Sequence, residues 1–376
     1  MQIGRNIQQT TGHKAFVPDK FPPNEEIVLD AQTNELLSRA NLLLGRLDGV
    51  AQQLPDLDFF ILMYIRKEAA LSSQIEGTKA TITDLIMAEG KIPADVPEDV
   101  QDIKHYVKAM NYGLKRLSEL PLSLRLIREV HEQLMYGARG GMPASPGEFR
   151  QSQNWIGGTT PATARFVPPP KQELMRCLDD LEKFLHANVQ MPVLLKTALI
   201  HAQFETIHPF LDGNGRTGRL LITFYLTQQK VLSRPVLYIS EFFKRHREIY
   251  FDRLNGYHSE KGEVLPWVQF FLEGVATVSE EAIETSNKIV ALRKEDTAKI
   301  LDFGRSSKTA MLLLEKLYKQ PIINVVKAQE LTGLARNNTN FLISKFLKAG
   351  ILKQTDKPKN YGRRFVYHKY LDLFTK

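Results

Sequence analysis

A mainly α-helical fold is what this sequence predicts, and three observations predict it. Apolar residues recur at helical spacing through almost all of the first 300 positions. One stretch rich in Gly, Pro and Thr, residues 137–170, interrupts them and has room for a small β-hairpin. The last 70 or so residues change character, with helical patterns followed by two β-prone runs around a polar turn.

Residues 1–30 read as irregular, with FVPDKFPPNEE as an extended, proline-bearing arm. LLSRANLLLGRLDGVAQQL gives a helix from about Ala31 to Leu54, and FFILMYIRKEAALSS a second from Asp56 to Ser73. Gly77 then punctuates the chain, and Thr81 or Thr83 is placed to cap another helix. DVQDIKHYVKAMNYGLKRL and SLRLIREVHEQLM continue the series. Within the interruption, NWIGG and ARFVPP are the β-prone pieces that flank a turn. Helices resume with ELMRCLDDLEKFLHAN, VLLKTALIHAQFETI and, after a break, RLLITFYLTQQKVL; residues 241–258 and 264–300 are helical too. KTAMLLLEKLYK and then INVVKAQELTGLARNNTNFLISKFLKAGIL, with a turn near Gly333, supply the last helices. ILKQTDKPKNYGRRFVYHKYL alternates as two strands. Three helices and a hairpin in this order resemble a winged helix-turn-helix. Arg336, Asn337, Asn338 and Thr339 would open its recognition helix, and Lys357, Lys359, Arg363 and Arg364 would lie in its wing.

Composition is that of a globular protein: 43% hydrophobic and 24% charged over 376 residues, enough for two or three domains. No apolar run approaches bilayer-spanning length, so no membrane partner is expected. The opening MQIGRNIQQTTGHK lacks the apolar stretch of a signal peptide. The single Cys177 excludes an internal disulfide framework and, among helically spaced apolar residues, is expected to pack. A reducing cytoplasm is the compartment these features suggest. The net charge of +8 is uneven: residues 301–376 hold 15 Lys and Arg against 5 Asp and Glu. That C-terminal patch suits nucleic acid, or is simply a solvated basic face.

HPFLDGNGRTGR, residues 208–219, crowds special residues as no core helix or plain turn requires. GNGRTG satisfies G-x-G-x-x-G, but the preceding HAQFETIHPFLD has helical spacing and a proline in place of a strand, which argues against a dinucleotide fold. No Gly-Lys-Ser/Thr follows, so a Walker loop fails as well. Anion chemistry survives both rejections. Gly213 and Gly215 let backbone N–H groups approach an anion, at the start of a helix whose N-terminus favours one. Arg216 and Arg219, three apart, share a helical face and can clamp phosphate oxygens. Asp212 is a hard oxygen ligand suited to Mg²⁺, and Asn214 can donate its amide to the same oxygens. His208 stands where it could act as a general base, its direction fixed by Pro209. His201, Glu205, His208 and Asp212 also have metal-like offsets, but Pro209 breaks that face.

The stretch resembles the Fic motif, HPFx[D/E]GNGRxxR, at every defined position. The likeness extends to PGEFRQSQNWIGG through ARFVPPP, similar to that family's pre-motif loop and flap, and to VLYISEFFKRHREIYFDRL, similar to its post-motif helices. It covers roughly residues 30–290, and a C-terminal winged helix is common in the family. The resemblance implies an N-terminal helical region (1–120), a helical catalytic core with a β-hairpin flap (121–290) and a winged helix-turn-helix (300–376). It implies a protein adenylyltransferase that moves AMP from ATP to a Ser, Thr or Tyr hydroxyl of a target protein. His208 would take the hydroxyl proton and Asp212 would hold Mg²⁺ on the phosphates. Gly213, Asn214, Gly215, Arg216, Thr217, Gly218 and Arg219 would form the phosphate site, with Arg216 on the β/γ-phosphates and Arg219 on the γ-phosphate. Tyr250 and Phe251 would line an adenine pocket or, as aromatics in a helical stretch, belong to the core. The flap at Phe166 and Val167 would pair with an extended target segment.

Ser72-x-x-x-Glu76-Gly77 in SSQIEGT resembles the family's inhibitory motif, [S/T]xxxE[G/N]. Glu76 would then pair with Arg219 and withdraw it from the γ-phosphate. Two other readings stay open: removal of AMP at the same site, with Glu76 positioning water, and a DNA-binding regulator whose core only senses nucleotide. The winged helix could equally hold a protein or a second copy of the chain.

Overall fold

The structure is a computed structural model that describes residues 3–22, 27–52, 54, 57–92, 95–137, 145–259, 261–355 and 362–375. In chain order its elements begin with β1 (Gly4–Gln8), β2 (Lys14–Pro18), α1 (Ala31–Gln52), α2 (Leu57–Ile75), α3 (Ile82–Glu89), α4 (Val100–Arg116) and α5 (Leu124–Met135). Next come α6 (Lys171–His186), α7 (Val193–Ile207), α8 (Asn214–Gln228), α9 (Ser240–Arg245), α10 (Arg247–Tyr257) and the long α11 (Val264–Leu301). The chain ends in α12 (Ser307–Lys319), β3 (Ile322–Asn324), α13 (Val325–Thr332), α14 (Arg336–Lys348), β4 (Lys353–Gln354), β5 (Arg364–Val366) and α15 (His368–Thr375). The fold is mainly helical, with small antiparallel sheets. No helix among the described residues is long and apolar enough to cross a membrane.

The chain divides into two compact units. The first comprises Met1–Asp48, Leu71–Gly77 and His105–Glu280. At its centre α7 and α8 pack together, and every residue from Leu194 to Ile207 is buried, so α7 has no solvent face. Around them α6 is amphipathic, burying Leu174, Cys177, Leu178, Leu181, Phe184 and Leu185 at the spacing of one helical stripe. Trp267 of α11 is fully buried, and its indole Nε1–H donates to Ala198 O of α7 at 2.9 Å. Ser123 caps α5 by accepting from Leu126 N.

Two local expectations in this unit give way. Residues 4–18 form an antiparallel hairpin, β1 against β2 with Gly4 opposite Pro18, in place of an irregular arm. Its inner strand is apolar (Ala15, Phe16 and Val17 are buried), and Phe16 N–H donates to Val167 O at 2.9 Å. The flap is a single antiparallel bridge, Ile156 to Phe166, shorter than a full hairpin.

The second unit comprises Gly49–Ala70, Thr78–Lys104 and Glu281–Lys376. Thr81 caps α3 through a reciprocal capping box with Asp84. Arg66 of α2 pairs with Glu89 and donates to Lys319 O at 2.7 Å. Asn324 caps α13 through Lys327 N, and Gly333 ends that helix in the left-handed conformation. A three-stranded antiparallel sheet runs in the order β3-β5-β4. The second strand was expected to run on through HKYL. Instead α15 begins at His368, because Tyr370, Leu371 and Phe374 share one helical face and are buried together. Tyr367 OH donates to the buried Asp296 at 2.8 Å, and Lys299 pairs with the same carboxylate at 2.9 Å. Lys357 and Lys359 of the expected wing lie outside the described residues.

Candidate active site

Pro209 stops α7 by disfavouring the right-handed helix at the residue before it. His208 accordingly sits in the left-handed region (φ 48°, ψ 61°), which non-glycine residues adopt only when their surroundings impose it. Here the surroundings are hydrogen-bond donors. Arg150, buried, donates Nε–H to His208 O at 3.0 Å, and its backbone N–H donates to Pro209 O at 2.9 Å. Asn154 donates its side-chain amide to His208 O (3.1 Å) and Phe210 O (2.8 Å). Three consecutive carbonyls are thus held from the pre-motif loop.

Asn214 closes the turn from the other side. Its Oδ1 accepts Phe210 N–H and its Nδ2 donates to Phe210 O, both at 2.8 Å. One N–H of the amide expected to face phosphate is thus committed to shaping the loop. His131 of α5 supports the next residues: it stacks on Phe210 with ring centroids 3.6 Å apart, accepts Gly147 N–H at Nδ1, and donates from Nε2 to Asp212 O at 3.0 Å. Burial holds its imidazole down at about 4, so it is neutral in this role.

At Gly213 the backbone is left-handed (φ 78°), and a Cβ there would stand 2.7 Å from Met135 Sδ. α8 begins immediately after, and its open N–H groups and dipole favour an anion. An anion is in place. Glu76 reaches in from the end of α2, so close that a Cβ on Gly215 would overlap its Oε1. The same oxygen accepts from Arg219 Nη2 at 2.6 Å. Arg219 also donates Nε–H to Ser72 Oγ (2.8 Å) and Nη2–H to Ser72 O (3.0 Å), and its side chain is 1% exposed. Gly77 ends the turn with φ 102°, and Arg247 anchors it by donating to Ile75 O at 3.1 Å. Burial pushes the Glu76 carboxyl up, but the charge and hydrogen bond of Arg219 outweigh this and hold it below the usual carboxylate range.

Arg216 is bound differently. Its nearest carboxylate, Asp212, is 3.7 Å away, and its buried Nε has no hydrogen-bond partner among the described residues. Asp212 itself is 63% exposed, one oxygen accepting Gly213 N–H. Burial, with Arg150 nearby, holds the His208 imidazole down at about 4. At neutral pH it is unprotonated, as a base must be.

These groups surround a cavity of about 490 Å³, a size suited to a small molecule. Glu76, His208, Asp212, Gly213, Asn214, Gly215, Arg219, Tyr250 and Phe251 line it. Arg216, Thr217, Gly218, Ser72 and Gly77 do not line it; Ser72, Arg216 and Thr217 are buried, and Gly77 is exposed. Gly218 O accepts from His201 Nδ1, whose other nitrogen pairs with the buried Tyr250 hydroxyl at 2.9 Å. That pairing removes His201 from any metal set.

The family model for the Fic/DOC family matches residues 121–226, and the one for its N-terminal region matches residues 34–115. The chain belongs to the Fic/DOC family. A probable protein adenylyltransferase of Aquifex aeolicus is 28% identical over 214 residues, 56% of this chain and 59% of that relative. The protein adenylyltransferase Fic of Aedes aegypti is 28% identical over 199 residues, 52% of this chain and 36% of its own. The chain thus spans less than two thirds of each of these relatives. A Fic family protein from Desulfovibrio desulfuricans shares the fold, with a TM-score of 0.59 at 20% identity over 92% of this chain and 98% of that one.

Within this Fic fold the flap departs from expectation. The backbone groups of Phe166 pair with Ile156, and Val167 O is taken by Phe16, so these groups are not open to a target strand. Phe166 and Val167 line a second cavity of about 510 Å³ beside the N-terminal hairpin. Sequence reasoning also passed over Arg150, Asn154 and His131 as individual residues. Their roles are set by partners 50 or more positions away for most contacts, which local spacing does not reveal.

Proposed function

We propose that this chain transfers AMP from ATP to a Ser, Thr or Tyr hydroxyl of a target protein, and that Glu76 restrains the transfer by pairing with Arg219. The observation that carries this reading is the seat of the Glu76 carboxylate. It occupies the N-terminal end of α8 on Arg219, where a terminal phosphate would otherwise be held, and it shares a cavity with a neutral His208. His208 takes the hydroxyl proton as the oxygen attacks the α-phosphorus, the bond to the bridging oxygen breaks, and pyrophosphate leaves. Gly213, Gly215 and the first N–H groups of α8 stabilise the phosphate charge, with Arg216 and Arg219 as the cations behind them. Tyr250 and Phe251, on the cavity wall, would face the base. In this reading residues 121–290 carry the reaction and Ser72, Glu76 and Gly77 the restraint.

Mg²⁺ fits the residues present. Among the described residues no cluster of three or more His, Cys, Asp or Glu could form a protein-only metal cage. One open carboxylate, Asp212, suits an ion whose other ligands are phosphate oxygens and water. When bound, such an ion offsets phosphate charge. The test is incorporation of label from α-labelled ATP with Mg²⁺ by wild type, Glu76→Gly and Glu76→Gly/His208→Ala, on the chain itself and on lysate proteins. Labelling by Glu76→Gly that His208→Ala abolishes supports the reading. Release of AMP from a modified target by wild type, lost in Glu76→Gly, would replace it with removal of AMP.

A second reading concerns residues 300–376, proposed as a winged helix-turn-helix that binds DNA. Arg336, Asn337 and Asn338 are exposed at the start of α14, and Arg363 is tied to that helix through Asn340 at 3.2 Å. With 15 basic against 5 acidic residues, the segment suits a phosphate backbone. DNA binding by the full chain that weakens as salt rises supports this; no binding at low salt overturns it in favour of a protein partner or a second copy.

A further inference from the structure

Glu205 has no task in the mechanism above, yet it lies at its centre. It sits on α7 one turn before His208, with its side chain 8% exposed and lining the same cavity. Its Oε2 stands 3.8 Å from His208 Nδ1. Its Oε1 has no hydrogen-bond partner among the described residues. The neighbouring helix makes space for it: a Cβ on Gly218 would overlap Oε1. A buried carboxyl left short of partners costs stability, and such groups gather where function needs them.

The edge of the imidazole that carries Nδ1 faces Glu205, which leaves Nε2 for the cavity. For Nε2 to accept a proton, Nδ1 must carry the hydrogen and needs an acceptor. The Glu205 backbone carbonyl also acts on the ring, but only the side-chain carboxyl, with Oε1 unpaired among the described residues, can take up charge as well. Accordingly, we propose that Glu205 is the positioning residue for His208: its carboxyl accepts Nδ1–H, keeps the Nε2 lone pair toward the target hydroxyl, and shares the positive charge the ring acquires. This rests on the reading of His208 as the base. Proton accounting is simple. The hydroxyl proton moves to Nε2, the new oxygen–phosphorus bond forms, pyrophosphate departs with the old one, and Glu205 makes and breaks no covalent bond. The 3.8 Å separation is that of a resting site, and catalytic hydrogen bonds tighten when substrate is bound.

The charges around the pair tune it. Glu205 faces Arg219, Glu76 and the Tyr250 hydroxyl. His208 faces Arg150, Glu76, Asp212 and His258. Burial, with Glu76 adding to it, pushes Glu205 up to about 8 while Arg219 opposes. Near neutral pH it is therefore a neutral carbonyl acceptor. On ionising it becomes a carboxylate and strengthens the base. Glu76→Gly removes one of the groups that raise Glu205 but leaves its burial, so the rate of that variant should still climb with pH, from a somewhat lower starting point.

The test uses the full chain in the Glu76→Gly background. Glu205→Leu removes the acceptor and should lower kcat by about 100-fold, while KM for ATP stays within roughly threefold. Glu205→Gln keeps an acceptor that cannot ionise; it should cost about tenfold and flatten the rise in rate between about pH 7 and 9. Nitrogen-15 spectra of labelled histidines, with the His208 signal identified by its loss in His208→Asn, read the tautomer without turnover. The Nδ1–H form should dominate with Glu205 and give way to a mixture in Glu205→Leu. Unchanged kcat, pH profile and tautomer in Glu205→Gln or Glu205→Leu would overturn the inference. If Glu76→Gly transfers no AMP while the tautomer still depends on Glu205, the transferase reading fails and the positioning contact stands.

Discussion

The two ends of the motif are held in opposite ways. At the His208 end, the buried Arg150, Asn154 and Asn214 bond backbone carbonyls and amides of residues 208–210. At the Arg219 end, the guanidinium is held by side chain and carbonyl of Ser72 and by one carboxylate, Glu76, that is 38% exposed. The first arrangement changes only if the loop unfolds. The second changes if a single turn at the end of α2 withdraws. On the proposed function, the first would be a base that is always built and the second an anion site covered by a removable carboxylate, the parts of a gated enzyme.

Breaking the built end should have the largest effect. His208→Asn keeps a residue that tolerates the left-handed conformation but supplies no base, so labelling by Glu76→Gly should fall by about 10²–10⁴-fold. Rates from α-labelled ATP measure this; a loss under about tenfold would separate His208 from proton transfer. Opening the covered end should work the other way. A hydrogen bond to a charged group contributes about 1.5–3 kcal/mol, so Glu76→Gly should raise labelling roughly ten- to hundredfold and tighten ATP by calorimetry. Equal labelling by wild type and Glu76→Gly would mean that the carboxylate restrains nothing.

The built end can also be read through stability. Asn154→Ala removes two hydrogen bonds, one of the two donors on each of the His208 and Phe210 carbonyls, and at about 0.5–1.5 kcal/mol apiece should lower the melting temperature by several degrees. pH gives an independent measure. Burial holds His131 and His208 at about 4 and His201 and His258 at about 3, below the unfolded value near 6.5. The unfolded chain then binds more protons than the folded one as pH drops below about 6.5, so acid should destabilise the protein through all four. Glu205 acts in the opposite sense: raised to about 8, it costs stability as pH climbs from the ordinary carboxylate range through that value. Melting temperature should therefore peak at about pH 7, and Glu205→Gln should lessen the fall just above it.

The same contrast explains what could be read from the sequence. The motif, its helix and the Ser72–Glu76 spacing were legible because a loop, a helix start and an i, i+4 pair are written in neighbouring positions. Helix periodicity placed α5 through α8 for the same reason. What escaped depends on distant partners. The hairpin β1–β2 buries Ala15, Phe16 and Val17 in a continuous apolar run, which alternation does not mark, and it is completed by Val167 O. Asn154 and Arg150 look like ordinary loop residues until the fold brings 208–210 beside them. Asn214 stood in the motif, yet its amide also bonds Phe210, whose backbone N–H finds its acceptor in Asn214 Oδ1.

Ser72→Ala gives the finest division of the covered end. It removes one hydroxyl acceptor from Arg219 Nε while leaving the Ser72 carbonyl and the Glu76 carboxylate in place. A single hydrogen bond of this kind contributes about 0.5–1.5 kcal/mol, so labelling should rise only about two- to tenfold, well below Glu76→Gly. The double variant should match Glu76→Gly, because without the carboxylate the hydroxyl no longer holds the arginine away from phosphate. Should Ser72→Ala alone equal Glu76→Gly, the restraint would lie in the packing of the whole turn against α8. The ion pair would then be its consequence.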